Sequence, residues 1–229
     1  MKPTHIGIIL DGNRRLAKRL MMKPWKGHEW GVEKIKKLLI WAPELDIKEL
    51  TLYTFSIENF NRPKEEFNYL MELITKSFNE LDWKELQHKG IQIRVIGRTN
   101  MFPTPVKNAI KTVMQKTANN NKIIINFCMA YGGRHEIIDA TKQIATEVAC
   151  GKLKPTDINE EMFSKYLYLS DQPEMIIRTS GEQRTSDFLP YQAAYAEWFF
   201  IQKMWPEFEK EDLIACMNEY ETRERRYGR

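Results

Sequence analysis

Asp11-Gly12-Asn13-Arg14-Arg15 closes the apolar run that begins at His5, and it places one carboxylate directly before a group of cations that continues through Lys18 and Arg19. Glycine permits a tight turn. The amides opening the next helix can face an anion while Arg14, Arg15 and Lys18 supply positive charge, the pattern of a phosphate cradle. Asp11 would repel a bare phosphate, but a divalent cation bridging carboxylate and phosphate removes the conflict. One carboxylate plus substrate oxygens is an ordinary donor set for Mg²⁺. The same residues also fit a solvated basic helix with Asp11 as its N-cap, so this cluster alone leaves both readings open.

A second set of anion donors shifts the balance. Arg62, Arg178, Arg184 and Ser186 follow other apolar runs, and the planar guanidinium suits bidentate contact with phosphate. Two anion sites around one acidic residue suggest two phosphorylated substrates. Other chemistries fail on pattern. The chain holds no G-x-x-x-x-G-K-[ST], no G-x-G-x-x-G after a strand and no G-x-S-x-G, and its two His-Glu pairs lack the second histidine of H-E-x-x-H. Ile9 and Asn13 leave no second aspartate two residues from Asp11, which removes an aspartyl phosphatase reading.

These residues need elements to position them. Short apolar runs rich in β-branched residues lie at Ile6–Leu10, Leu50–Phe55, Ile91–Ile96, Ile123–Phe127, Met175–Ile177 and Trp198–Ile201, with helically spaced segments between them. That order predicts an α/β fold: a single domain, residues 1–229, with a mostly parallel sheet of about six strands flanked by helices. Phe67, Leu70, Met71, Ile74, Phe78 and Leu81 repeat at helical spacing between Pro63 and Gly90 and predict one long amphipathic helix over 63–89. Ligands of open parallel sheets bind beyond the carboxyl ends of the strands. The segments following the strands, at Asp11–Arg15, Ser56–Pro63, Tyr131–Arg134 and Arg178–Ser186, are accordingly expected at one edge.

Bulk properties narrow the setting. The net charge of +4 is the small difference between 35 basic and 31 acidic side chains, so it does not by itself point to nucleic acid. Three widely spaced cysteines without a C-x-x-C pair argue against a disulfide framework or a zinc site and fit a reducing cytoplasm. No apolar run approaches the roughly 20 residues that span a bilayer, and a strand pattern stands where a signal peptide would. Any membrane contact is expected to be peripheral.

The blocks "HIGIILDGNRR", "GHEWG", "YTFSIENFNRP", "FCMAYGGRHEI", "IIRTSGEQRTSDFLPYQAAYAEWFF" and "RERRYGR" resemble, in order and over nearly the whole chain, the cis-prenyltransferases of the undecaprenyl diphosphate synthase family. "RTSGE" is more similar to the archaeal and eukaryotic branch than to the bacterial "RTGGE". The resemblance implies Mg²⁺-dependent condensation of isopentenyl diphosphate with an allylic prenyl diphosphate, forming a Z double bond at each addition. By similarity, Asp11 holds Mg²⁺ and helps the allylic diphosphate leave, Gly12, Asn13, Arg14, Arg15 and Leu16 cradle it, and His28 lies near it. Asn59 takes part in proton removal, and Ser56, Ile57, Glu58, Phe60 and Arg62 shape the reacting centre. Arg178, Arg184, Thr185 and Ser186 bind isopentenyl diphosphate, while Glu197 completes the metal site. Phe67, Leu70, Ile74 and Phe78 then line an apolar tunnel for the growing chain, although such a stripe also fits ordinary core packing. Arg226-Tyr227-Gly228 resembles an R-x-G element that reaches across a homodimer in this family.

Leu16 stands where an aromatic residue usually follows the arginine, Tyr191 replaces a tryptophan, and Pro24 occupies the place of a diphosphate-gripping arginine, with Arg19 or Lys23 as candidate substitutes. These departures permit a different acceptor or a non-head-to-tail condensation. A non-catalytic partner subunit is the remaining alternative, against which stand intact Asp11, Asn59, Arg178, Arg184 and Glu197.

Overall fold

The computed structural model describes residues 2–224. Arg226-Tyr227-Gly228 lies outside the described residues. Among these, six strands form one wholly parallel sheet in the order β3-β4-β2-β1-β5-β6: β1 His5–Ile9, β2 Glu49–Ser56, β3 Ile91–Ile96, β4 Ile123–Tyr131, β5 Met175–Arg178 and β6 Glu197–Phe200. The strand bounds depart from the apolar runs by one residue at most ends, and by four at β4, where Cys128 to Tyr131 stay buried. The single α/β domain with a six-stranded parallel sheet is the architecture the alternating runs predict.

Side chains alternate across the sheet. Ile6, Ile8, Leu50, Leu52, Ile125 and Phe127 join the larger core with helices α2 (Gly27–Glu44), α3 (Lys64–Asn79), α5 (Thr104–Thr117) and α8 (Lys210–Thr222). Ile9, Tyr53, Cys128 and Ile176 face a smaller core with Phe188 and Leu189. Covering on both faces explains why the strands read as unbroken apolar runs rather than alternating ones.

The single helix expected over 63–89 is two. Helix α3 ends at Asn79, and Asp82 accepts hydrogen bonds from the amides of Lys84 and Glu85 (3.0 and 3.1 Å) to start α4, Trp83–Lys89. Hydrophobic spacing ran on through Leu81, but an aspartate N-cap restarts the helix there. Gly90, at φ 66°, closes α4 as expected. Helix α1, Asn13–Arg19, ends differently. The Met22 amide reaches the Ala17 carbonyl (2.8 Å), the Met21 amide reaches Lys18 (3.0 Å), and Met21 takes φ 57°. Glycine is preferred at that position, and an L side chain there costs about 1–2 kcal/mol.

Strand β1 lies between β2 and β5, where the sheet order reverses. Chain segments diverge to opposite sides at such a point and leave a crevice at the strand carboxyl ends. Asp11, the segment after Ser56 and the segment after Arg178 all open onto it.

Candidate active site

Asp11 is held by its backbone. Its amide donates to Thr179 Oγ1 (3.0 Å), and its carbonyl accepts from the Thr179 hydroxyl (2.7 Å) and the Trp205 amide (2.9 Å). Gly12 follows at φ 109°, where an added Cβ would also meet the Met204 backbone at 3.0 Å, so the turn requires glycine. The carboxylate bridges two guanidiniums, Oδ2 to Arg178 Nη2 at 2.8 Å and Oδ1 to Arg15 Nη2 at 3.0 Å. Burial pushes the Asp11 carboxyl up, but hydrogen bonds and charge from Arg178 and Arg15 outweigh it and hold the group below the usual carboxylate range.

Arg178, only 3% exposed, also donates to Ser186 Oγ (2.8 Å) and to the Arg184 carbonyl. Arg15 pairs with Glu182 (2.6 Å), which also takes Arg184. The two expected cation groups therefore meet around Asp11.

A third arm comes from β2 and the start of α3. Arg62 Nη1 donates to Glu66 Oε1 at 3.1 Å and stands 3.3 Å from His28 Nε2, while Arg14 Nε lies 3.6 Å from the same carboxylate. Glu66 is 2% exposed. Burial lowers the His28 pKa, with Arg62 and Arg14 adding to the effect and Glu66 opposing it. Six cations, Arg14, Arg15, Lys18, Arg62, Arg178 and Arg184, thus surround three carboxylates, Asp11, Glu66 and Glu182, a net +3 at one crevice.

Behind this charged mouth lies a cavity of about 350 Å³ between α2, α3 and the sheet. Its mouth carries Asp11, Asn13, His28, Asn59, Arg62, Arg178 and Ser186, and its body is lined by residues such as Ile35, Leu39, Leu70, Ile74, Phe78 and Phe127. Cations in front of an apolar hollow select an amphiphile with an anionic head and a hydrocarbon tail.

Most of the expected residues gather here, but not all. Leu16 is 6% exposed and packs inward rather than bordering the crevice. Ile57, Glu58 and Thr185 border neither the cavity nor the cradle. Phe60 joins Phe55, Phe67 and Phe102 in an aromatic cluster, and Phe67 accordingly does not line the cavity. Arg134 pairs with Asp187 and braces the Arg178–Ser186 segment from outside.

Glu197 does not join Asp11 within this chain. It opens β6 in register with Met175, which pairs Ile6, so it sits about 16 Å back along the strands at 3.3 Å per residue. There it pairs with Arg223 at 2.8 Å. Among the described residues no group of three or more His, Cys, Asp or Glu could hold a metal by itself. Pro24 borders the cradle, whereas Arg19 pairs with Glu207 and Lys23 with Glu65, so Lys18 is the cation that reaches the rim in their stead.

Glu66, Glu182 and Thr179 hold the site together, yet the sequence assigns none of them a role. Glu66 stands four residues after Arg62, a helical ion-pair spacing that could have marked it. Glu182 and Thr179 carry no comparable signal.

The family model Prenyltransf, for undecaprenyl diphosphate synthase, matches residues 9–228. A "Tritrans,polycis-undecaprenyl-diphosphate synthase (geranylgeranyl-diphosphate specific)" of Methanopyrus kandleri is 45% identical over 99% of this chain and 85% of its own. An isoprenyl transferase of Clostridium perfringens is 43% identical over 99% of this chain and 90% of its own. Lavandulyl diphosphate synthase from Lavandula x intermedia, in complex with dimethylallyl diphosphate, superposes with a TM-score of 0.94 at 34% identity, covering 100% of this chain and 99% of that one. A protein whose cationic crevice opens on an apolar cavity, and whose length aligns almost entirely with such relatives, belongs to the undecaprenyl diphosphate synthase family of cis-prenyltransferases and is a prenyl-transferring enzyme.

Proposed function

We propose that the protein is a Mg²⁺-dependent cis-prenyltransferase that condenses isopentenyl diphosphate with an allylic prenyl diphosphate, extending it through Z double bonds. The observation that carries this reading is Asp11, held between Arg15 and Arg178 at the mouth of the apolar cavity. Arg14, Arg15, Lys18 and Arg62 face the allylic diphosphate; Arg178, Arg184 and Ser186 face isopentenyl diphosphate. Two cradles around one carboxylate hold the reacting carbons together, which lowers the barrier through proximity.

As the two guanidiniums turn to phosphate, Asp11 is freed. A single carboxylate suits Mg²⁺ when substrate oxygens complete the donor set. The ion supplies charge neutralisation of the departing diphosphate. The allylic C1–O bond breaks, C1 bonds to C4 of the isopentenyl unit, and a proton leaves its C2. Asn59, whose amide is no base, has its Oδ1 fixed by the Ser56 amide (3.2 Å). It orients the isopentenyl unit, and the released diphosphate takes the proton.

Geranylgeranyl diphosphate is the proposed starter, since several archaeal relatives at 44–45% identity bear names specifying it. A second reading, transfer to a different acceptor, is favoured by Pro24 at the cradle rim and by the lavandulyl diphosphate synthase neighbour. Labelled isopentenyl diphosphate, Mg²⁺ and allylic diphosphates from dimethylallyl upward, with products read by mass spectrometry, separate the two. Elongated Z-polyprenyl diphosphates, greatest from geranylgeranyl diphosphate, are expected, and branched or unextended products would favour the second reading. Asp11→Ala, still folded by circular dichroism, should lose turnover by roughly 10²–10³-fold or more. Wild-type turnover in that variant would overturn the assignment.

A further inference from the structure

From Asn13 to Gly27 the chain carries six cations, Arg14, Arg15, Lys18, Arg19, Lys23 and Lys26, and no acid. The apex of this segment is Leu20-Met21-Met22, 53%, 97% and 40% exposed. Three consecutive large apolar side chains in water are unlike the scattered single ones of ordinary surfaces. Met21 stands out within them. It sits at φ 57° in the closing turn of α1, where glycine is preferred, yet its side chain stands almost wholly in solvent and contributes little packing. Half-buried Trp25 follows in the next turn with Lys23 Nζ 5.1 Å from its ring centroid. The apex also stands beside the cradle, whose rim includes Lys18 and Pro24.

We propose that Leu20–Met22 and the surrounding cations form a docking surface for the headgroup layer of an anionic lipid bilayer, with Met21 inserted. The apex is a convex tip, and three side chains fall far short of the roughly 1,000 Å² that a stable protein interface buries. An apolar tip ringed by lysine and arginine, with a tryptophan beside it, is the composition of interfacial membrane anchors. Arg19, Lys23 and Lys26 pair with Glu207, Glu65 and Glu29 at the surface. Exposed pairs of this kind are weak and yield to a denser array of negative charge. The inference rests on the proposed function for one point only, that lipid-like substrates and products pass through the adjacent mouth.

Flotation of the full chain with phosphatidylcholine vesicles, with and without phosphatidylglycerol, tests this without substrate or turnover. The wild type should float with the anionic vesicles and less so at high salt. Met21→Gly relieves the turn and should raise the melting temperature, yet weaken vesicle partitioning by about tenfold. Met21→Trp should strengthen it. Met21→Gly binding as the wild type does, or a wild type that stays off anionic vesicles, would overturn the proposal. So would self-association without lipid that Met21→Gly abolishes, because the apex would then be a contact between copies. A chain inactive as a prenyltransferase in detergent but still vesicle-bound would sink the proposed function and leave this surface standing.

Discussion

Glu66 is the least expected residue of the site, a buried carboxylate among groups that should bind phosphate. Its role follows from its partners. Arg62, Arg14 and His28 all face it, and the ion pair at 3.1 Å holds the Arg62 guanidinium at the cavity mouth. His28, 3.9 Å away, then Arg62 and Arg14, hold the Glu66 carboxyl below its ordinary value despite burial. Glu66→Gln keeps the shape and removes the charge. It should cost about 1.5–3 kcal/mol of stability, the worth of a hydrogen bond to a charged group, measurable by chemical denaturation. Turnover should fall while folded variant protein remains, as steady-state kinetics on the isopentenyl and allylic diphosphates will read. Unchanged kinetics would make Glu66 a stability residue only.

At the scale of elements, β1 carries both the site and a pH-sensitive anchor. His5 opens the strand 6% exposed, with Nε2 2.8 Å from Thr51 Oγ1 of β2. Burial lowers its pKa to about 4, against the opposing charges of Asp171 and Glu174. In the unfolded chain the group titrates near its ordinary value of 6.5. Its contribution is therefore fully present above pH 6.5 and lost as pH falls towards about 4, where the loss reaches about 3 kcal/mol. Buried Glu136, whose carboxyl burial pushes up, gives a slope of opposite sign. The difference between wild type and His5→Gln isolates the histidine, and denaturation at pH 7 and pH 5 should find the variant less sensitive to acid. Equal sensitivity would mean that His5 is protonated within the fold. The junction of α1 and α2 is set by steric limits instead. A Cβ on Gly27 would fall 1.9 Å from the Asn13 carbonyl oxygen, so α2 and the cradle can approach only with glycine there.

At the scale of the whole molecule, the proposed function makes cavity depth the limit on product length. The sheet and helices α2 and α3 enclose the cavity behind the charged mouth, and Leu70, Ile74 and Phe78 of one α3 stripe line it. These residues serve core and cavity together. Leu70 and Phe78 belong to the larger core, and Ile74 packs against it half-buried. Ile74→Trp fills the hollow without touching Asp11 or the arginines. Mass spectrometry of its products should find shorter chains from the same starter. Chains of unaltered length would place the growing tail elsewhere. Among the described residues no helix is long and apolar enough to cross a membrane.

What was legible in the sequence was local chemistry. Near-continuous β-branched runs predicted a parallel sheet covered on both faces, Gly12 and Gly90 marked turns, and the position of Asp11 and Arg178 after their strands put both at the carboxyl edge. These signals survive because periodicity and turn preference act over a few residues. The tertiary structure decided which way side chains face and which segments meet. Leu16 and Phe60 lie in motif segments yet turn into the core, and Glu197, in the same block as Arg178, begins a strand at the opposite end of the sheet. Asp82 started a new helix where hydrophobic spacing alone would have continued the old one. Glu66 acquired its role only when Arg14 and His28 were brought to it from α1 and α2. Strand pairing and packing between distant segments fix such contacts, because burial and charge depend on neighbours in space that no short stretch of chain contains.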